Sequence, residues 1–511
     1  MKRLFPILLL LALFLNACDN YDSWTTDQSA RLTFSADTVD FDTLITTIGS
    51  STERVLAFNN NNKGLRITNV WLKHGTSSPF RVNVDGEYLS RGSGTDFEVH
   101  ATDSIFILLE TTLPETANID DTVTAFTDSL CFQLESGRVQ YIVLKAEGQN
   151  AEHHHGVWKI ESDTTFSSTH PIIIYDSLYI APSATLTLDG GTTLMFHGRG
   201  QTGASMQVDG TLTVNGTLDK PVIFRGDRMD NMFSYLPYDN TPQQWGGVFL
   251  YGKGRQNKLD YLNMHGSITG LTARGTDIEL NNCIFYNAAG NAFTAKNSNV
   301  HAVNTQISNS YGHLFHMIGG QAQFDHCTLA QFNNYSSEMG YALMMQDWDI
   351  ELKDTMFYDI TGLTFNNCII TGYDDDVIMG DLIKERKTGQ ETSYMFRNCY
   401  ISTDSMQQVA DSVEHKHWIG NRFAVQEDSV SYGKIFQKFD DRQYIYDFTP
   451  DSAASFRGIA ESVVAAKYPT DRLGRERPAD KADPGAYQQT KYANNPTSRR
   501  KDNRPSYNSA H

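Results

Sequence analysis

From about Arg31 to Gln149 the chain alternates apolar and polar positions in short runs. Leu32-Thr33-Phe34, Arg54-Val55-Leu56-Ala57-Phe58, Ser104-Ile105-Phe106-Ile107-Leu108 and Tyr141-Ile142-Val143-Leu144 are examples. A period of two puts alternate side chains on one face of a strand. Turn-forming clusters such as Asn59 to Asn62 and Asp85-Gly86 separate the runs. Seven or so short strands in about 120 residues predict a β-sandwich over residues 31–150.

From Trp158 the runs shorten and are punctuated by Gly and Asn, and one pattern recurs. Leu259-Asp260-Tyr261-Leu262, Leu280-Asn281-Asn282-Cys283, Ala302-Val303-Asn304-Thr305, Phe324-Asp325-His326-Cys327, Phe365-Asn366-Asn367-Cys368 and Phe396-Arg397-Asn398-Cys399 align. Their equivalent positions are 262, 283, 305, 327, 368 and 399. The first three gaps are 21, 22 and 22 residues, and the next two, 41 and 31, suggest two coils and one coil with an inserted loop. A period near 22 filled by strands predicts a coiled β-solenoid over residues 158–487. Coils about 4.8 Å apart stack like on like, so Cys283, Cys327, Cys368 and Cys399 form an inward ladder of small apolar fillers. Asn282, Asn367 and Asn398 fall at the adjoining bend, where Asn tolerates the left-handed conformation and its amide can bond the next coil. His153-His154-His155 marks the junction between the two patterns, and residues 151–157 read as a linker.

The first segment looks like the immunoglobulin-like domains of the Hydin/SPD-2 type. The signs are Leu32-Thr33-Phe34, Asp40-Phe41-Asp42, a strand ending Phe58-Asn59-Asn60, Phe80-Arg81-Val82 and a closing Leu144-Lys145-Ala146-Glu147-Gly148. The second resembles the right-handed parallel β-helix proteins of bacterial envelopes. It opens on Ala181-Pro182-Ser183-Ala184-Thr185-Leu186-Thr187-Leu188 and closes on Asp471-Arg472-Leu473-Gly474 through Asp483-Pro484-Gly485-Ala486-Tyr487, as the C-terminal rung of such proteins does. The resemblances imply an all-β chain: an immunoglobulin-like sandwich, a spacer or interaction module, followed by a right-handed parallel β-helix.

The N-terminus carries an address. Lys2 and Arg3 precede a twelve-residue apolar run, Leu4 to Leu15. As a helix that run rises only about 18 Å, too short for about 30 Å of hydrocarbon. Leu15-Asn16-Ala17-Cys18 resembles the lipobox of bacterial lipoproteins, which implies a signal peptide over 1–17, lipidation of Cys18 and a polar tether over 18–30. Several acyl chains on one residue would hold the protein on a membrane. The expected location is an exported, membrane-anchored lipoprotein, at the outer membrane and facing the periplasm or the surface. The other reading is an ordinary secretory peptide with Cys18 incidental. The remaining five cysteines are odd in number and include no C-x-x-C pair, so structural zinc lacks support.

Charge excludes one class of partner. The 511 residues carry a net −18. Setting aside Lys2 and Arg3 (+2) and the basic tail 488–511 (+4) leaves a body at −24, which repels phosphate backbones, so no nucleic-acid partner is expected. The tail, nearly free of aliphatic residues, is expected to be disordered.

Candidate chemistry is sparse. β-Helix carbohydrate lyases and hydrolases work on a groove along one face, but the chain has neither Gly-His-Gly nor Arg-Ile-Lys. Asp374, Asp375, Asp376 and Asp381 form its one dense carboxylate group and could bind Ca²⁺ or supply an acid/base pair, or belong to a solvated loop neutralised by Lys384, Arg386 and Lys387. His313 and His316 flank Leu314-Phe315, and His415 and His417, at i and i+2, could share an ion from one face of a strand, yet no third ligand can be named, so no metal ligands are assigned. Trp245, Tyr251, Tyr261, Tyr311, Tyr335, Tyr341 and Trp348 make a sugar platform if exposed in a row and core if buried. The reading is a cell-envelope lipoprotein whose β-helix presents a glycan- or protein-binding surface without catalysis and without a cofactor. The alternative is a polysaccharide lyase or glycoside hydrolase using a groove, with Asp374 to Asp381 as its site.

Overall fold

The computed structural model describes the chain except residues 1–22, 116–122, 169, 199, 201, 234, 334–339, 390–391, 404–416, 425–434, 443 and 491–511. The signal segment, Cys18, Tyr335, His415 and nearly all of the tail therefore lie outside the described residues. The chain is all-β and divides into two compact units, the first running to Ala151 and including Arg228–Met232, the second made of the rest from Glu152.

The first unit is a sandwich of two sheets. One contains Thr33–Phe34, Glu53–Phe58, Ser104–Thr111, Phe80–Val84 and Glu87–Tyr88 in that spatial order. The other runs Thr38–Ile45, Val139–Gln149, Thr124–Leu134, Leu65–Leu72 and Ser93–Gly94. Thr38–Ile45 lies parallel to the closing strand Val139–Gln149. The alternation read from the sequence becomes alternation of burial: Ile105, Ile107 and Leu109 are buried while Phe106 stays exposed. The Asn59 to Asn62 turn has a local cause. The buried Asn59 amide donates to the carbonyls of Lys63 (2.9 Å), Val99 (3.0 Å) and His100 (2.9 Å), which satisfies a bend that strand pairing cannot.

The second unit is a parallel β-helix. Its first strand, Glu152–His154, pairs in parallel with Ile172–Ile174, so His153 and His154, expected in a linker, begin the solenoid instead. An eleven-stranded parallel sheet runs from there to Arg422–Phe423. The other two faces belong to one path of seventeen strands, because Phe293–Val303 and Phe315–Asp325 bend across both. Asn263 pairs with Ile284, Ile284 with Gln306 and Gln306 with Thr328, which reproduces the 21- and 22-residue steps. The 41-residue gap is a correction. Thr328 pairs directly with Ile369, so this is one coil, lengthened by insertions that include the hairpin of Trp348–Glu351 and Asp354–Phe357. The 31-residue gap is one coil with an inserted loop that holds the helix Ile383–Thr388.

Like stacks on like inside. Leu280, Ala302, Phe324, Phe365 and Phe396 occupy one inward column. Ring centroids step 4.6 Å from Phe324 to Phe365 and 5.3 Å from Phe365 to Phe396. The cysteines form the expected ladder, with Thr305 filling one place. The Cys327 amide donates to Cys368 Sγ and the Cys368 amide to Cys399 Sγ, each at 3.3 Å. At the neighbouring corner Tyr261, Asn282, Asn304, His326, Asn367 and Asn398 all have φ between 46° and 58°. Asn304 donates to Asn282 at 3.2 Å across the coils.

The closing segment does not add a rung. After the hairpin of Phe436–Asp440 and Ile445–Pro450, the chain runs back over the asparagine corners of earlier coils. Ile459 accepts from Asn398 at 2.8 Å, Thr470 accepts from Asn304 at 3.1 Å, and the Arg472 guanidinium lies 6.0 Å from the Tyr261 ring. The motif residues hold this strap together. Buried Asp471 accepts from the amides of Leu473, Arg475 and Gln488, buried Asp483 accepts from the Gly458 amide, and Arg477 donates to Asn304 at 2.7 Å.

Candidate functional site

On the solenoid face formed by Gln256–Asp260, Asp277–Asn281 and the second halves of Phe293–Val303 and Phe315–Asp325, outward residues register in two columns. Gln256, Asp277, Asn299 and Gln321 form one; Lys258, Glu279, His301 and Gln323 form the other. All but Lys258 line a shallow open groove of about 240 Å³, with Asn257, Ile278 and Val300 beneath them. Asn257 faces inward and is fully satisfied: it accepts from the Leu212 amide at 2.8 Å and donates to Thr276 at 3.0 Å.

One wall of the groove is fixed by a buried carboxylate. Asp325 Oδ2 accepts from Gln323 at 2.7 Å and from the Tyr468 hydroxyl at 3.1 Å, and faces His301 Nε2 at 3.1 Å. Its other oxygen accepts from Asn366 at 2.8 Å. Burial pushes the Asp325 carboxyl up, but His301, Asn366 and Gln323 outweigh it and hold the group below its ordinary value. An ionised Asp325 can only accept, so His301 Nε2 donates to it. Burial and then the Asp325 charge push the Tyr468 hydroxyl up to about 12, so it remains a donor. Asp277 accepts from Asn299 at 2.7 Å. Glu279 is exposed and forms no hydrogen bond or ion pair among the described residues.

The surface therefore offers polar groups of differing type whose positions repeat coil by coil at about 4.8 Å, comparable to the length of one sugar ring. Asp277 and Glu279 stand on one strand with Cα atoms about 7 Å apart. Both lie on an open face, without the enclosed apolar surroundings that suit a carboxylic general acid.

The structure disperses the carboxylates singled out in the sequence. Asp374 and Asp375 are exposed, and partial burial followed by the Asp375 charge pushes the Asp374 carboxyl up. Asp376 accepts from Thr403 Oγ1. Asp381 accepts from Trp348 Nε1 at 3.0 Å, at the far end of the strand Ile378–Asp381. Five extended residues separate Asp376 from Asp381, about 16 Å, beyond the reach of a shared ion or an acid/base pair. The cations expected to neutralise them point elsewhere. Lys384 pairs with Asp359, Lys387 lies 5.1 Å from the Phe357 ring, and the Arg386 side chain is outside the described part. Among the described residues no three His, Cys, Asp or Glu side chains converge on a metal position.

The histidines are hydrogen-bonded or stacked. His313 Nδ1 accepts from the Tyr341 amide at 3.0 Å, and burial, helped by His316, pushes its pKa down to about 4. His316 bonds Gln346 at 2.8 Å. His417 bonds the Tyr394 carbonyl at 2.8 Å, and His154 stacks on Trp158 at 3.5 Å. The aromatic list does not form a row: Trp245 is fully buried, Trp348 and Tyr341 are engaged as above, and Tyr251 is exposed. The groove residues went unread in the sequence although a signal was present. Lys258, Glu279, His301 and Gln323 each stand four residues before an equivalent position of the repeat.

Compared by sequence, the chain matches no family model and no curated protein. Solved structures similar to it include three in which sequence identity is 9–11%. The ASH/PapD-like domain 7 of human CEP192 is 11% identical, covers 25% of this chain and 89% of its own, and has a TM-score of 0.16. A family 123 glycoside hydrolase from Clostridium perfringens is 9% identical over 23% of this chain and 25% of its own, with a TM-score of 0.17. The catalytic domain of a GH87 alpha-1,3-glucanase in complex with tetrasaccharides is 9% identical over 80% of this chain and 92% of its own, with a TM-score of 0.18. At such scores the fold rests on the strand pairing above.

Proposed function

We propose that the protein is an exported lipoprotein, anchored through Cys18, whose β-helix binds a linear glycan of the cell envelope along the Gln256 to Gln323 groove without cleaving it. The observation that carries this reading is the pair of outward columns: two parallel rows of hydrogen-bonding groups, in register over four coils and open to solvent. Polar groups on an open face select by hydrogen bonding and need no reacting centre. The first unit then serves as a spacer or interaction module between the membrane and the solenoid.

Affinity electrophoresis of the purified protein against a polysaccharide panel tests this, with reducing ends and unsaturated products followed in parallel. Saturable binding without product supports the reading. A second reading, hydrolysis, is favoured by one observation, the presence of two carboxylates, Asp277 and Glu279, on one face of one strand in the groove. Turnover lost in Glu279→Gln would select it. Anchoring is tested separately: Cys18→Ser is expected to move the protein from the membrane fraction to the soluble fraction.

A further inference from the structure

The groove has a sign as well as a shape. Of the residues that line it, Asp277 and Glu279 are carboxylates and none is lysine or arginine. The cation nearest in register, Lys258, is held by Asp260 at 3.1 Å, and Asp260 also accepts from Asn281 at 2.8 Å. Behind the wall, Asp325 adds a further negative charge, shared with His301. Polyuronates and sulfated glycans would bring their charge to a lining that holds two carboxylates and no lysine or arginine, at a cost that grows with every repeat. Of the two carboxylates in the lining, Asp277 accepts from Asn299, while Glu279 is exposed and has no partner among the described residues. It stands between Lys258 and His301 in its column, with no other acid opposite it in the register.

Building on the glycan-binding reading, we infer that this groove selects by charge, rejecting acidic glycans and preferring a sugar that carries a free amine, whose ammonium group pairs with Glu279. A charge-assisted hydrogen bond of this kind is stronger than the neutral hydroxyl contact it replaces. The amides of Asn299, Gln321 and Gln323 read the remaining hydroxyls and are indifferent to the substituent.

Three oligosaccharides with one backbone separate the cases: β-1,4-linked glucosamine, glucose and glucuronic acid of equal length, titrated calorimetrically into the purified full-length protein at low and high salt. The expected order is amine first, neutral second and no measurable binding of the uronate, with the amine advantage about tenfold at low salt and shrinking as salt screens it. In Glu279→Gln the ratio of amine to neutral affinity is expected to fall toward one while the unfolding midpoint is unchanged, since the side chain is exposed. Equal or tighter uronate binding, or an amine preference that survives Glu279→Gln, overturns the charge selection and leaves glycan binding standing. Failure of all three to bind overturns both.

Discussion

Asn367 holds Glu461 at two points: its Nδ2 donates to the Glu461 carbonyl at 3.1 Å and its Oδ1 accepts from the Glu461 amide at 2.6 Å. One side chain thus closes a coil corner at φ 53° and ties down the strap that returns along the solenoid. Asn367→Ala loses the tolerance for left-handed backbone, about 1–2 kcal/mol, and leaves buried backbone groups unpaired. The expected cost is about 2–4 kcal/mol by urea unfolding, accompanied by faster proteolysis after residue 459. Asn367→Gly keeps the backbone and loses only the bonds, so its midpoint should lie between those of Asn367→Ala and the parent.

Phe365 is fully buried between Phe324 and Phe396 in the inward aromatic column. Truncation opens a cavity that neighbouring coils cannot close, because each is fixed by pairing on two sides. Phe365→Ala should destabilise the solenoid by about 3–5 kcal/mol, and Phe365→Leu by less than half of that. Denaturant unfolding followed by tryptophan fluorescence checks both.

The stacked thiols should be inert in the native state. Cys283, Cys327, Cys368 and Cys399 are fully buried, and burial pushes the Cys283 thiol up to about 12. A maleimide reagent at pH 8 should label Cys131, which is only part-buried, and reach the four ladder cysteines only after denaturation. Rapid native labelling of any ladder position, mapped by mass spectrometry, would contradict the packing.

The inserted hairpin is clasped by charge. Lys296 Nζ lies 2.5 Å from Asp349, also bonds Glu351, and sits 4.7 Å from the Tyr358 ring. Burial pushes Asp349 up, but Lys296 outweighs it and holds the carboxyl below its ordinary value of 3.8. Its contribution is therefore complete above that value and is lost as pH falls through the lowered one. For Lys296, burial lowers and the two carboxylates raise the pKa above 10.5, so its contribution is complete below 10.5 and is lost as pH rises through the raised value. Protection from hydrogen exchange across residues 348–357, taken relative to the intrinsic rate at each pH, should be greatest between these limits. Lys296→Met should lower it at neutral pH without moving the global unfolding midpoint.

The period was legible because stacking repeats a residue's neighbours every coil: Cys283, Cys327, Cys368 and Cys399 announce their own ladder, and asparagine marks the left-handed corner. The insertion at 332–362 was not legible as such, since a 41-residue interval fits two coils as well as one coil with a hairpin, and only the pairing of Thr328 with Ile369 decides. The closing motif read as a last rung because its fixed residues are the ones that bond a coil corner, and sequence does not say which coil. The candidate site was hidden for a related reason. Dense carboxylates such as Asp374 to Asp381 draw the eye, while Lys258, Glu279, His301 and Gln323 differ in type and gain meaning only once register aligns them.

The most direct test of the central claim compares the parent with Gln256→Ala/Gln321→Ala, two exposed groove positions with no side-chain partner among the described residues, in calorimetric titrations against whichever polysaccharide the panel identifies. The account predicts saturable binding by the parent and at least a tenfold loss in the double variant with the unfolding midpoint unchanged. Equal affinity in the two proteins would place the binding surface elsewhere and contradict it.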